Sequence, residues 1–364
     1  MGHRRQPVPL ELNALLEKLA ERSGALDAGP NWPAGQFSLL AQAGVLGWVI
    51  PRAHGGAEIT ERELLEGYIE LASACLATTF VLTQRNGACQ RIAASPNHEL
   101  KADLLPRLAR GELFATVGIS HLTTSRQHLR LPAVQITECD TGLCFDGEVP
   151  WVTGAAHADY VVTGGTLADG RQVLAAIPRN LPGIVVAPPA RLLALSASHT
   201  SSMRLEKVVV DRRFLIAGPM EQVMKKGASS TGSLGTSALA VGLSRAAINR
   251  LSAEAVVRPD LVPILDPLDE ERKSLHTALA AAVENAAAGN PALSSEAIRA
   301  RANSLALRST QALLAASKGA GFVSGHFAER AVREAMFFLV WSCPQPVVAA
   351  ALRELAGCTS GFPA

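Results

Sequence analysis

Residues able to do chemistry are few in this chain, and the pair best suited to it is Ser120-His121. A hydroxyl beside an imidazole can hold or move a proton near neutrality, because histidine titrates at about pH 6.5. The bland alternative is a histidine that only hydrogen-bonds within its own loop, and the sequence leaves both open. His157 and His326 stand alone in loop or helix-start contexts, where surface or capping roles are expected. Six cysteines (Cys75, Cys89, Cys139, Cys144, Cys343, Cys358) form no Cys-x-x-Cys pair and meet no histidine at zinc spacing, so reduced buried thiols and no metal site are expected. Ser342 has no base beside it, and a lone serine hydroxyl is too weak an acid-base group at neutral pH. Gly319 and Gly321 are expected to end a helix in the left-handed conformation.

The elements that must position these residues change along the chain. Leu10, Leu12, Leu15, Leu16 and Leu19 recur at helical spacing, as do the apolar residues of 37–44. Val45-Leu-Gly-Trp-Val-Ile-Pro51 and the turn at His54-Gly55-Gly56 follow. Thr60-Glu-Arg-Glu63 has the form of a capping box, with apolar residues continuing through Leu82, so the chain up to about Gly111 is expected to be helical. From Leu113 short β-type runs alternate with turns: 114–119, 133–137, 143–145, 160–163, 173–177, 183–186 and 203–210. These predict a small antiparallel barrel or sandwich, while mixed strands with helices on both sides would also fit a two-domain α+β protein of another kind, so periodicity alone does not name the fold. Beyond Gly232 the periodicity is helical over 234–255, 270–288, 294–318, 327–341 and 346–356, which predicts an antiparallel bundle. Three parts are therefore expected: an N-terminal helical domain (1–112), a central antiparallel β domain (113–219) and a C-terminal four-helix-type bundle (220–364), an α+β architecture.

Composition narrows the function classes. With 364 residues the chain exceeds one ordinary core. Its 34 Lys and Arg against 32 Asp and Glu form no basic block that would track a phosphate backbone, which argues against nucleic acid as a partner. Met1-Gly-His-Arg-Arg5 leads into prolines rather than an apolar run, so no signal peptide, no membrane span and a cytoplasmic location are expected.

Four local sequences, in order, resemble the acyl-CoA dehydrogenase family over nearly the whole chain. Leu46-Gly-Trp-Val-Ile-Pro51 with His54-Gly-Gly56 is similar to the signature of its N-terminal helical domain. Trp151-Val-Thr153-Gly154 with His157-Ala-Asp159 resembles the segment that lies against the flavin ring, and Met203-Arg-Leu-Glu-Lys-Val-Val-Val210 looks like the strand that ends the β domain. Gly319-Ala-Gly321-Phe322, followed by Glu329 and Arg333-Glu334-Ala335, is similar to "GGxGF…VE+xxRDA", with Lys318 in place of the first glycine.

The resemblance implies FAD as cofactor, held by Ser120, Arg126, Trp151, Thr153, Gly319 and Gly321, with Thr153 offering a hydroxyl to the flavin and Arg126 meeting pyrophosphate oxygens. It implies an acyl thioester, such as one of coenzyme A, as substrate, and a homodimer or homotetramer. It also exposes departures. Counting on from Arg333-Glu-Ala335, the family's catalytic glutamate falls on Ser342. The alternative glutamate site of some relatives falls near Ser252, with Glu254 roughly 200° away around a helix. After Arg258 the "RxxFG" motif does not continue. Three functions stay open: an FAD-dependent oxidoreductase of acyl thioesters or related small molecules, a flavin monooxygenase on the same fold in which His121 serves as proton donor or base, and a non-catalytic binding or assembly protein.

Overall fold

Thr60 N–H donates to Glu63 Oε2 at 2.8 Å, while Thr60 Oγ1 accepts from Glu63 N–H at 3.2 Å. This closes the capping box that the spacing predicts and starts a helix at Glu61. The computed structural model describes residues 11–29, 31–123, 132–224, 231–288 and 294–358. Five helices come first: α1 (Leu12–Ala28), α2 (Ala34–Gln42), α3 (Glu61–Ala74), α4 (Leu76–Ala93) and α5 (His98–Ala109). The single helix expected from Thr60 through Leu82 is broken at Cys75, whose extended backbone (φ −155°, ψ 101°) separates α3 from α4.

The chain divides into two units, of which one comprises residues 1–59, 80–191 and 196–229. Its centre is a sheet of β1 (Ala115–Gly118), β2 (Val134–Cys139), β3 (Gly142–Val152), β4 (Tyr160–Leu167), β5 (Gln172–Pro178), β6 (Ile184–Val186), β7 (Ser201–Asp211) and β8 (Leu215–Met220), with the short helix α6 (Ser120–Thr123) after β1. The strand order is β6-β7-β3-β2-β4-β5-β8, and β1 adds to β4. Five of the seven pairings are antiparallel, as expected, but β1–β4 and β2–β4 are parallel. The sheet is therefore mixed rather than antiparallel. The β2–β3 hairpin reverses the chain once and the passage into β4 reverses it again, so β4 lies beside β2 in the same direction. β8 has no counterpart among the predicted strands. Its Gly218-Pro219 weakens the strand pattern, which is tolerable because β8 is an edge strand paired with β5 alone.

Alternation along the strands feeds two cores. Val161, Val173, Ala175 and Ile177 join Phe145, Val149, Leu205 and Val208 in one cluster, while their neighbours Val162, Leu174 and Ala176 pack with Cys89, Ile92, Leu104 and Leu108 of α4 and α5. Arg85 of α4 is fully buried and donates to Leu46 O (2.7 Å), Leu108 O (2.5 Å) and Asn86 Oδ1 (3.0 Å), so one cation ties the helical segments through their backbone carbonyls.

The second unit takes residues 60–79, 192–195 and 230–364. It contains α3 and the helices α7 (Thr231–Val257), α8 (Val262–Ala288), α9 (Ser295–Ala316), α10 (Lys318–Gly321), α11 (Phe327–Val340) and α12 (Gln345–Leu355). Helix α7 packs against α3, α8, α9 and α11. Close approach to α3 requires Gly242, where a Cβ would lie 2.6 Å from Ile69 O and 2.7 Å from Ala72 Cβ. Arg245 pairs with Glu70, His276 with Glu66 (2.6 Å) and Arg62 with Glu284 (2.7 Å), linking α3 to α7 and α8. Among the described residues no helix is long and apolar enough to cross a membrane.

Candidate functional site

Ser120 and His121 form the start of α6, which packs beside β3. His121 Nε2 lies 2.9 Å from Gly164 O on β4. A carbonyl can only accept, so Nε2 carries the hydrogen and the neutral ring holds its lone pair on Nδ1. Half of the bland expectation is thus realised: the ring is anchored to backbone. Ser120 differs. Its Oγ is buried and has no hydrogen-bond partner among the described residues, a costly state for a hydroxyl unless a ligand completes it.

Trp151 projects from β3 with 45% of its surface exposed, between buried Val149 and Val152. It is not the core aromatic that a strand-end tryptophan often is. Thr153 is 2% exposed. Its carbonyl accepts from Thr116 Oγ1 (2.8 Å), and its hydroxyl begins a buried chain to Thr200 Oγ1 (3.1 Å) and on to Ser198 Oγ (2.8 Å). A hydroxyl both donates and accepts, so Thr153 keeps one role beyond Thr200. Arg126 lies outside the described residues.

The remaining predicted residues belong to the second unit. Neither Gly319 nor Gly321 adopts a left-handed backbone, which corrects the expectation for them; Lys318 does, at φ +55°. The chain turns out of α9 at Lys318 and winds at once into α10, so the strain falls on the position where the family has its first glycine. Gly321 is required for a different reason, since a Cβ there would lie 2.6 Å from Ser317 Cβ. Gly319 has open space around it. Ser342 is exposed in the turn between α11 and α12 and has φ +41°. That turn is clamped from α9: Arg299 Nη2 donates to Trp341 O (2.9 Å), Arg299 Nε to Asn303 Oδ1 (2.9 Å), and Asn303 Nδ2 to Phe338 O (2.8 Å). Burial pulls the Arg299 guanidinium down to about 10.

Sequence reasoning missed one constellation entirely. His157, expected at the surface, stacks on Trp32 at 4.2 Å between centroids and 11° between planes, and its Nε2 lies 2.8 Å from His199 Nδ1. Phe114 meets Trp32 edge-on at 5.4 Å. The one local signal was Gly154, which at φ +66° leaves room that a Cβ, 2.6 Å from Trp32 Cη2, would fill. Among the described residues no group of three or more His, Cys, Asp or Glu side chains is placed to hold a metal ion.

Residues 13–112 match the family described as acyl-CoA dehydrogenase, N-terminal domain. The probable acyl-CoA dehydrogenase YngJ of Bacillus subtilis is 24% identical over 253 residues, a match covering 66% of this chain and 65% of that protein's length. The fold is that of butyryl-CoA dehydrogenase from Megasphaera elsdenii, with a TM-score of 0.81 over 98% of this chain and 100% of that one at 15% identity. The chain is thus similar to acyl-CoA dehydrogenases in sequence over its N-terminal helices and in fold over nearly its whole length. A second fold neighbour, KijD3, is solved in complex with FMN and dTDP-3-amino-2,3,6-trideoxy-4-keto-3-methyl-D-glucose, with a TM-score of 0.78, 18% identity and coverage of 97% and 93%.

Proposed function

We propose that this protein is an FAD-dependent oxidoreductase acting on an acyl thioester or a related small organic substrate. One observation carries the flavin: the buried Ser120 hydroxyl without a partner, on a helix beside the strand that exposes Trp151. An indole face and a desolvated hydroxyl suit a planar heteroaromatic group with polar edges. Ser120, Trp151 and the remaining hydrogen-bonding role of Thr153 are the contacts this unit would offer. The flavin supplies the hydride acceptor. The protein's own part is to orient the substrate and manage its proton.

A second reading, a flavin monooxygenase, is favoured by the turn at Trp341–Pro344, which carries Ser342 where a dehydrogenase needs a carboxylate. In that reading His121, anchored through Nε2, handles the proton from Nδ1. The absorption spectrum of the purified protein tests the common premise: flavin bands are expected, and their absence after reconstitution with FAD and with FMN would refute both readings. Mass analysis of the released cofactor distinguishes FAD from FMN. Anaerobic titration with saturated acyl-CoA, set against oxygen consumption by the reduced protein, separates dehydrogenase from monooxygenase. The bundle's exposed apolar residues, among them Val256, Val257, Phe322, Val340, Leu352 and Leu355, support assembly into at least a homodimer.

A further inference from the structure

The cluster of Trp32, His157 and His199 belongs to none of the chemistry above. Trp32 sits between α1 and α2; His157 closes the short turn after β3; His199 closes another just before β7. The N···N distance of 2.8 Å between the imidazoles allows one hydrogen between them. With both rings neutral, one donates and the other accepts. With one ring protonated the bond is charge-assisted and stronger, and a charged ring against the Trp32 indole adds a cation–π attraction. With both protonated, two N–H groups point at each other and the pair must part.

The surroundings oppose the second proton. Burial, His199 and Arg179 all hold His157 below the ordinary histidine value. Arg179, which follows β5, is fixed by its bond to Ala158 O (2.7 Å), and the Asp159 carboxylate is engaged by Phe114 N–H (2.8 Å). From the α1–α2 side the cluster meets the rings of Trp32 and Phe37, which stack at 6.0 Å and carry no charge. His199 itself holds φ +44°, a left-handed conformation that an L-residue adopts at a cost of about 1 kcal/mol, so the fold maintains strain at the residue that completes the pair.

We propose that His157 and His199 form a proton-operated clasp, which holds the Trp32 segment against the β-sheet at neutral pH and releases α1 and α2 when both rings are charged. The sign follows from linkage. The closed pair accommodates one proton and, with His157 held below the ordinary histidine value, resists the second, so it binds fewer protons than the open state once the pH falls below about 6.5, and closure weakens there.

Hydrogen exchange of the full-length protein at pH 7.5 and pH 5.0, corrected for the intrinsic pH dependence of exchange, tests the clasp. Residues 12–42 should exchange severalfold faster at the lower pH, while β3 (142–152) keeps its protection. His199→Asn retains an acceptor for His157 and tolerates the left-handed backbone but cannot take the second proton. His157→Phe keeps a ring on Trp32 with no proton at all. Both variants should abolish the acid-induced change. The proposal is overturned if the wild type shows no change in residues 12–42, if protection is lost equally in β3, or if either folded variant responds as the wild type does.

Discussion

Helix α7 carries two glycines whose replacement by alanine should have opposite effects. An alanine in a helix interior is favoured over glycine by about 1 kcal/mol. At Gly235 the new Cβ would lie 3.8 Å from Tyr68 Cε2, an ordinary contact, so Gly235→Ala should raise stability by about that amount. At Gly242 the same atom would lie 2.6 Å from Ile69 O, 2.7 Å from Ala72 Cβ and 3.2 Å from Ser73 N. These are backbone and Cβ atoms of α3, which no rotamer change can move aside, so α3 must shift and give up packing on α7. Overpacking costs typically about 1–3 kcal/mol. Set against the propensity gain, this leaves Gly242→Ala neutral to about 2 kcal/mol less stable than wild type, and about 1–3 kcal/mol below Gly235→Ala. Urea denaturation followed by circular dichroism checks the order of the midpoints at unchanged slope. In a thermal scan the separation corresponds to about 2–4 °C per kcal/mol. A Gly242→Ala midpoint equal to or above that of Gly235→Ala would refute the close approach of α3 and α7.

Lys318→Gly should stabilise the protein by about 1 kcal/mol, since it removes a left-handed lysine from an exposed turn; a lower urea midpoint would contradict this. Thr60→Ala removes the capping box of α3 and should cost about 0.5–2 kcal/mol, read as a lower midpoint, whereas Thr60→Ser should restore most of it. Ser342→Glu places a carboxylate in the turn between α11 and α12. It should raise flavin reduction by saturated acyl-CoA by roughly a hundredfold or more if that turn faces the substrate, and rapid reduction by the unaltered protein would overturn the reading that the base is missing. Sedimentation at micromolar concentration should show at least a dimer, and a monomer alone would contradict the assembly proposed from the bundle's apolar surface.

What the sequence determined by itself is what arises from local, periodic causes. Seven strands and the long helices of the last third could be read from alternation and from 3.6-residue spacing, because each reports which side of one element is buried. The capping box at Thr60 was legible because both partners lie within one helical turn. Likewise the motif order pointed to the superfamily, since those motifs are contiguous in the chain.

Tertiary structure alone decided the rest. Whether β4 joins β2 in parallel depends on how a hairpin is placed beside its neighbour, and no residue of β4 records it. Nothing in Glu61–Ala74 says that its partner is α7, nor that Gly242 must be bare for the two to meet. The left-handed residue near the helix break is Lys318 rather than the glycines after it, because the position of the turn is imposed by the winding of α10. Most of all, the imidazoles of His157 and His199 and the indole of Trp32 come from three separate connections. Only His157 drew a reading from the sequence, as a surface or capping residue. The imidazoles' proton is shared only because the sheet and the α1–α2 segment bring the rings within hydrogen-bonding and stacking distance, and that proximity is a property of the fold that no local pattern encodes.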